Sequence, residues 1–240
     1  MTGLKKLIHK IAREAGFDII RYKPRTHPLA RRKKILDTYN IDLLLDVGAN
    51  IGQYGEEMRE IGYAGRLISF EPMSKAFGIL KEKAQYDNLW EVHNFGLGDR
   101  EETASINISG NSFSSSMLNM LPSHLKSAPA SEYVDQETIQ VKVLDGILPG
   151  LVTDAKHIYL KIDTQGFEEN VLKGAENSLA SIDTLQVEMS LVPLYENGLL
   201  FDQLYKLLYD RGYRLMALEP GFTDPDTGQL LQADGIFHRI

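Results

Sequence analysis

"LLLDVGANIGQYGEEM", residues 43–58, starts as an apolar run, closes that run on an acid at Asp46, and then breaks over two glycines, Gly48 and Gly52. An aliphatic run of this length bounded by a turn is the pattern of a strand buried in a parallel sheet. The glycines remove Cβ atoms where the chain turns and where a ligand must approach the backbone. Tyr54, Met58 and Ile61 then mark a helix face, closed by Gly62. A strand, a glycine corner and a helix suggest a mononucleotide-type site, and the ligand at that corner decides the function.

The same alternation extends outward on both sides. "RLISFEP" (66–72) and "LWEVHNF" (89–95) read as strands, with a helix between them marked by Phe77, Leu80 and Ala84. "HIYLKID" (157–163) and "DTLQVEMS" (183–190) repeat the pattern around a helix through Val171, Leu172, Ala175 and Leu179. A helix over about 200–211 follows, and "YRLMALEP" (213–220) and "LQADGIFHR" (231–239) read as a closing hairpin through "GFTDPDTGQ". Seven main strands separated mostly by helices predict an α/β, doubly wound, mostly parallel sheet with helices on both faces. The rhythm lapses over about 97–145. There "ETASINIS" and "ETIQVKVLDGI" read as two strands around a Ser/Pro/Asn-rich stretch, "GNSFSSSMLNMLPSHLKSAPAS". That stretch is long for a connection and suggests a functional loop or lid.

The chain has 240 residues, 43% of them hydrophobic and 25% charged, the proportions of an ordinary globular protein. With no cysteine, disulfides and thiolate metal sites are excluded. No apolar run is long enough to cross a bilayer, and the start lacks the continuous apolar region of a signal peptide, so a cytoplasmic protein is expected. Charge is unevenly placed. Residues 1–34 hold eleven Lys/Arg against two Asp/Glu, a charge of +9, which leaves −16 on the remainder. The expectation is a basic helical arm over 1–40 ahead of one domain over 41–240 that includes the insertion at about 97–145. Leu4, Leu7, Ile8, Ile11, Ala12 and Ala15 fall at helical spacing among Lys5, Lys6, Lys10 and Arg13. Either that face packs on the domain, or the arm makes peripheral contact with an anionic membrane or polymer. The acidic body argues against nucleic acid as a partner.

The corner itself discriminates between ligands. A dinucleotide fingerprint reads Gly-x-Gly-x-x-Gly, whereas this chain has Gly48-x-x-x-Gly52 preceded by Asp46. A carboxylate repels a diphosphate and welcomes an α-amino group. Glu71, nineteen residues after Gly52, ends the second strand, where an acid accepts from ribose hydroxyls. The combination describes S-adenosylmethionine better than NAD or another phosphate-bearing cofactor.

At these residues the chain resembles the FkbM-type family of S-adenosylmethionine-dependent methyltransferases. The markers are "DVGANIGQYG", "SFEP", "HNFGLGD", "NSFSSSM", "LKIDTQGFEENVLKGA" and "ADGIFHR", spread over about 40–240. The resemblance implies the class I methyltransferase (Rossmann-like) fold and methyl transfer to oxygen, often on a sugar or glycan, or on a natural product. It implies that Asp46, Gly48, Asn50 and Gly52 surround the methionine part of the cofactor, with Tyr54 covering it. Glu71 would hold the ribose, Pro72 and Met73 the adenine, and Asn94, Gly96 and Leu97 the adenine edge.

Asp163, at the end of the fourth strand, is expected to face the methyl donor. There it would bind the amino group, orient the acceptor hydroxyl or take its proton. Glu188 is the second catalytic candidate. The two together would be half a site for an oxygen-loving cation, but a third ligand is missing and no metal is predicted. Ser114, Ser115, Ser116, His124, Tyr133 and Glu168 are the substrate-side candidates, since clustered hydroxyls suit a sugar; they equally suit a solvated loop, and Glu168 a helix dipole. The competing readings are an O-methyltransferase of a small natural-product alcohol or lipid head group, a non-catalytic binding protein of the same fold, and an NAD-dependent oxidoreductase.

Overall fold

The computed structural model describes residues 3–152 and 154–240, Leu4 by its backbone alone. The side chain of Leu4, assigned above to the apolar face of the arm, therefore lies outside the described residues.

The chain opens with helices α1 (Gly3–Glu14) and α2 (Pro28–Thr38), then runs β1 (Leu43–Val47), α3 (Gln53–Glu60), β2 (Arg66–Phe70), α4 (Ser74–Ala84) and β3 (Trp90–His93). An inserted segment carries β4 (Gly96–Leu97), β5 (Glu102–Ser109), α5 (Pro122–Ser127) and β6 (Tyr133–Lys142). Helix α6 (Leu144–Leu151) returns to β7 (Ile158–Ile162), α7 (Glu168–Lys173), β8 (Ile182–Ser190), α8 (Phe201–Asp210), β9 (Tyr213–Pro220) and β10 (Gln232–Arg239). The main sheet has seven strands in the order β3-β2-β1-β7-β8-β10-β9, and β4-β6-β5 form a small second sheet. Strands β1, β2, β3, β7 and β8 pair in parallel; β10 is antiparallel to both β8 and β9. This is the class I methyltransferase arrangement, an α/β sheet with helices on both faces.

The alternation of side chains along β1 explains the layers. Leu43, Leu45 and Val47 face a core shared with Leu144 and Leu148 of α6, Val171 and Leu172 of α7, and Leu204 and Leu208 of α8. Leu44 faces the other way, onto Ile35 and Leu36 of α2, Met58 of α3 and Leu80 of α4. Each fully buried aliphatic side chain contributes roughly 1.5–3 kcal/mol, and both faces of the central strands are lined with them. The chain winds outward from β1 through β2 to β3, then crosses back to place β7 on the other side of β1. Strand order thus reverses between β1 and β7, which opens a crevice at their carboxyl ends.

Two stretches differ from the reading of the sequence. The end of "ETIQVKVLDGI" is helical, because Leu144 and Leu148 meet the core at a spacing of four and the Asp145 carboxylate accepts from the Asn177 and Ser178 amides. The expected basic arm divides. Helix α2 is part of the domain: Arg32 bonds both Glu57 and the buried Glu219, and Ile35 and Leu36 enter the core. Helix α1 is not packed; Leu7, Ile8 and Ile11 stand exposed.

Candidate active site

Asp46 and Lys161 sit directly opposite each other in the register of β1 and β7, on the α2/α3 face of the sheet. The row continues into Ser69 of β2 and Gln186 of β8, so four polar residues cross four strands side by side. Lys161 Nζ lies 3.1 Å from Asp46 Oδ1 and 3.5 Å from Asp163 Oδ2, and donates to the Gly48 carbonyl at 3.3 Å. Burial works against its charge, but Asp46 and then Asp163 outweigh it, and Lys161 is held above its ordinary value. An ammonium in the sheet centre needs such a partner, since an unpaired buried charge is strongly disfavoured. The pair fixes the corner: Gly48 turns with φ of +77°, and a Cβ there would lie 1.9 Å from the Asp163 carbonyl oxygen. Only glycine lets the ends of β1 and β7 come so close.

Glu71 is buried at the end of β2 and accepts from the backbone N–H groups of Asn50 and Met73, both at 2.8 Å. It thereby clamps the β1 corner to the start of α4. Burial pushes its carboxyl up to about 7 against the pull of those two amides. The Asn94 side chain donates to the carbonyls of Glu71 and Pro72, both at 3.0 Å, and braces the same turn.

Asp163 and Glu188 stand together at the ends of β7 and β8. One amide joins them: Gln165 Nε2 donates to Asp163 Oδ1 at 2.9 Å and to Glu188 Oε2 at 2.6 Å. Gln165 adopts φ of +55°, and its side-chain Oε1 accepts from the Tyr195 hydroxyl at 2.7 Å. Gln232 of β10 adds a second amide to Glu188 Oε2 at 2.7 Å. Burial, then the neighbouring Asp163 carboxylate, raise Glu188 well above the ordinary carboxylate range. Glu168 turns back into its own loop, accepting from the N–H groups of Thr164 and Gly166, and burial moves it up to about 7.

These groups border one cavity of about 380 Å³, within the range of small-molecule sites. Gly48, Asn50, Glu71, Pro72, Met73, Gly96, Leu97, Asp163 and Glu188 line it, and so do Ser114, Ser115 and His124 of the insertion. The insertion is its roof. The serines are ordered by one another: Ser114 and Ser131 share a hydrogen bond of 3.0 Å, and Asn111 donates to both. Ser116 reaches across to the Gln165 carbonyl at 2.7 Å, which ties the roof to the loop after β7. His124 is buried with Nδ1 unpartnered, and burial lowers it to about 4, so its ring is neutral.

Seven residues expected at the ligand stand elsewhere. Asp46 lies beneath the wall, in the pair with Lys161. Gly52 packs on Leu80 and Trp90. The Tyr54 hydroxyl donates to Gln186, and its ring lies between Arg32 and Lys161. Asn94, Ser116 and Glu168 serve backbone groups, as does Tyr133, which donates to the Leu118 carbonyl. Lys161, Gln165, Tyr195 and Gln232 were not singled out from sequence. Lys161 carried a signal: a lone cation inside a strand buried on both faces must find an acid. Gln165 had none, because its position depends on a left-handed backbone.

The wall suits a cationic nucleoside. Its charged groups are carboxylates, its slot of Met73, Leu97, Ile139 and Phe167 is apolar, and the buried Asn50 Oδ1 has no protein partner. A diphosphate would face Glu71, Asp163 and Glu188 instead. Among the described residues no group of three or more His, Asp or Glu is arranged to hold a metal ion.

The chain is similar to known proteins in sequence and in fold. A model of the methyltransferase FkbM domain matches residues 46–215. A curated relative, Methyltransferase 1 of Beauveria bassiana (strain ARSEF 2860), is 25% identical over 196 residues, 76% of each chain. TehB from Haemophilus influenzae superposes with a TM-score of 0.47 at 9% identity, over 86% of this chain and 60% of its own. Fibrillarin from Aeropyrum pernix, solved with natively bound S-adenosyl-L-methionine, gives 0.47 at 12% identity, over 82% and 66%.

Proposed function

The chain belongs to the FkbM methyltransferase family and is an S-adenosylmethionine-dependent methyltransferase; from that premise we propose that its acceptor is a hydroxyl oxygen of a sugar or glycan. The observation that carries this reading is the carboxylate pair Asp163–Glu188 beneath a roof of hydroxyls. When bound, S-adenosylmethionine supplies an electrophilic methyl group on a sulfonium. The chain supplies the rest. Glu71 accepts from the ribose hydroxyls, and the apolar slot of Met73, Leu97 and Ile139 takes the adenine.

A sugar hydroxyl is a weak nucleophile, so its proton must leave as the new bond forms. Asp163, partly exposed at the cavity, orients the acceptor O–H. Glu188, in its ionised form, receives it, and burial strengthens its hold on that proton. Gln165 holds both carboxylates in place, and the proton passes onward to solvent. Positioning is worth about 7–11 kcal/mol in such reactions and a general base about 10²–10⁴-fold. Ser114 and Ser115 border the acceptor's space from above, with the neutral His124 beside them.

The test is transfer of labelled methyl from S-adenosylmethionine to a panel of free sugars, uronic acids and nucleotide sugars, against aliphatic alcohols and lipid head groups. We expect a methyl ether on a carbohydrate, with Glu188→Gln about 10²–10⁴-fold slower and S-adenosylhomocysteine binding retained. Labelling of the aliphatic alcohols alone would overturn the sugar assignment, and wild-type turnover in Glu188→Gln would remove Glu188 from the chemistry.

A further inference from the structure

Helix α1 and the segment behind it have no role in the site just described. The helix ends on Gly16 at φ of +83°, where the Phe17 N–H bonds back to the Ala12 carbonyl. It is a finished helix whose described apolar face, Leu7, Ile8 and Ile11, stands exposed. At 3.6 residues per turn Leu7, Ile8 and Ile11 fall within about 100° of one another, and Lys6, Lys10 and Arg13 on the opposite arc. Phe17, Ile19, Ile20 and Tyr22 continue the apolar surface past the turn. These seven side chains are between 45% and 72% exposed. Around them stand seven Lys/Arg between residues 5 and 25, against two acids. The ion pairs here stay within the segment, Lys10 with Glu14 and Arg13 with Asp18.

We propose that residues 3–27 form an interfacial anchor that lies on an anionic lipid bilayer. Two features together select this occupant. The apolar stripe demands a hydrocarbon phase, and the basic arc demands negative charge beside it; an anionic membrane surface offers both in one plane. A second copy would set two basic arcs side by side. A nucleic acid would leave the aliphatic stripe in water. Helix α1 is twelve residues long, and no described helix is long and apolar enough to cross a membrane, so the segment rests on the surface. The acidic remainder, residues 28–240 at −12, is repelled by the same surface and stands off from it. Helix α2, bolted to the body through Arg31 and Arg32, is the rigid point from which the anchor extends.

Flotation of the full chain with lipid vesicles tests the anchor. Phosphatidylcholine vesicles are compared with vesicles holding about a third phosphatidylserine, at about 0.15 M and about 1 M salt. The protein is expected to float with the anionic vesicles at the lower salt, at least tenfold more than with the neutral ones. Leu7→Glu with Ile11→Glu should abolish flotation, and Lys6→Glu with Lys10→Glu should reduce it about tenfold, while S-adenosylhomocysteine binding stays unchanged in both. Equal flotation of the first double variant would overturn the anchor. So would a wild-type dimer in free solution that this variant splits, or tighter binding to an RNA or DNA oligonucleotide than to the anionic vesicles.

Discussion

Glu71 carries two tasks on one carboxylate: it closes the backbone of the β1 corner and faces the cavity. Ionised, it accepts from both amides and still has lone pairs for the ribose; protonated, it loses part of both. Its value near 7 places that change inside the working range. Affinity for S-adenosylhomocysteine should therefore rise as pH goes from about 6 to about 8, following deprotonation of Glu71. Glu71→Gln cannot accept both amides. It should lose roughly 10–100-fold in affinity, as for a hydrogen bond to a charged group worth about 1.5–3 kcal/mol, and flatten the pH dependence. Calorimetry across that range checks both, and a pH-independent wild type would separate Glu71 from the ribose. The place of Glu71 at the cavity wall was legible in the sequence because an acid that ends the second strand stands at the carboxyl-end crevice. Asp46 was legible as special but not as Lys161's partner. Which side of a buried strand a residue faces depends on the neighbouring strand's register, and a single apolar run does not encode register.

At the scale of elements, the strands of the central sheet were readable because strands buried on both faces must be continuously apolar. The short elements were not. Helix α7 lasts only six residues before it dissolves into turns, and α6 starts where the apolar run of β6 continues through Val143 into Leu144. Helix α2 was hidden by its charges. Four Lys/Arg in "PLARRKKILDT" read as a solvated arm, yet Arg32 is nearly buried between Glu57 and Glu219. Removing a partner from a buried pair costs about 3–5 kcal/mol. Because Arg31 still reaches Glu219 at 3.2 Å, Arg32→Ala should fall at the low end, about 3 kcal/mol. Urea unfolding measures it, and a change under about 1 kcal/mol, the value of a surface pair, would mean that α2 is held by Ile35 and Leu36 alone.

Across the whole molecule the site concentrates carboxylates where burial disfavours their charge, and the fold bears that cost at neutral pH. Glu71 and Glu168 both move from 4.5 up to about 7, and Glu188 is raised in the same direction. A group raised on folding binds more protons in the native state, so stability falls as pH climbs from about 4.5 through about 7. His124, lowered to about 4, acts oppositely, but only below its ordinary 6.5. The ligand-free protein should thus unfold at a higher urea concentration at about pH 6 than at about pH 8, and Glu168→Gln should shrink the difference. A midpoint that rises over that interval would show that these acids are ionised without penalty.

Strand β10 lies between β8 and β9, and that order has a consequence for how the chain is made. Synthesis delivers β9 before the strand that joins it to the sheet. Until residues 232–239 leave the ribosome, β9 has no neighbour and β8 has one open edge. The same strand brings Gln232 to Glu188, so the carboxylate pair acquires its second amide only then. At about 5–20 residues per second the interval from Tyr213 to Arg239 lasts on the order of seconds, long compared with collapse of the parallel core. A nascent chain thus passes through a stage in which the core has collapsed and the site is unfinished, and a polypeptide stalled in that interval would carry the nucleoside crevice without its completed acid pair.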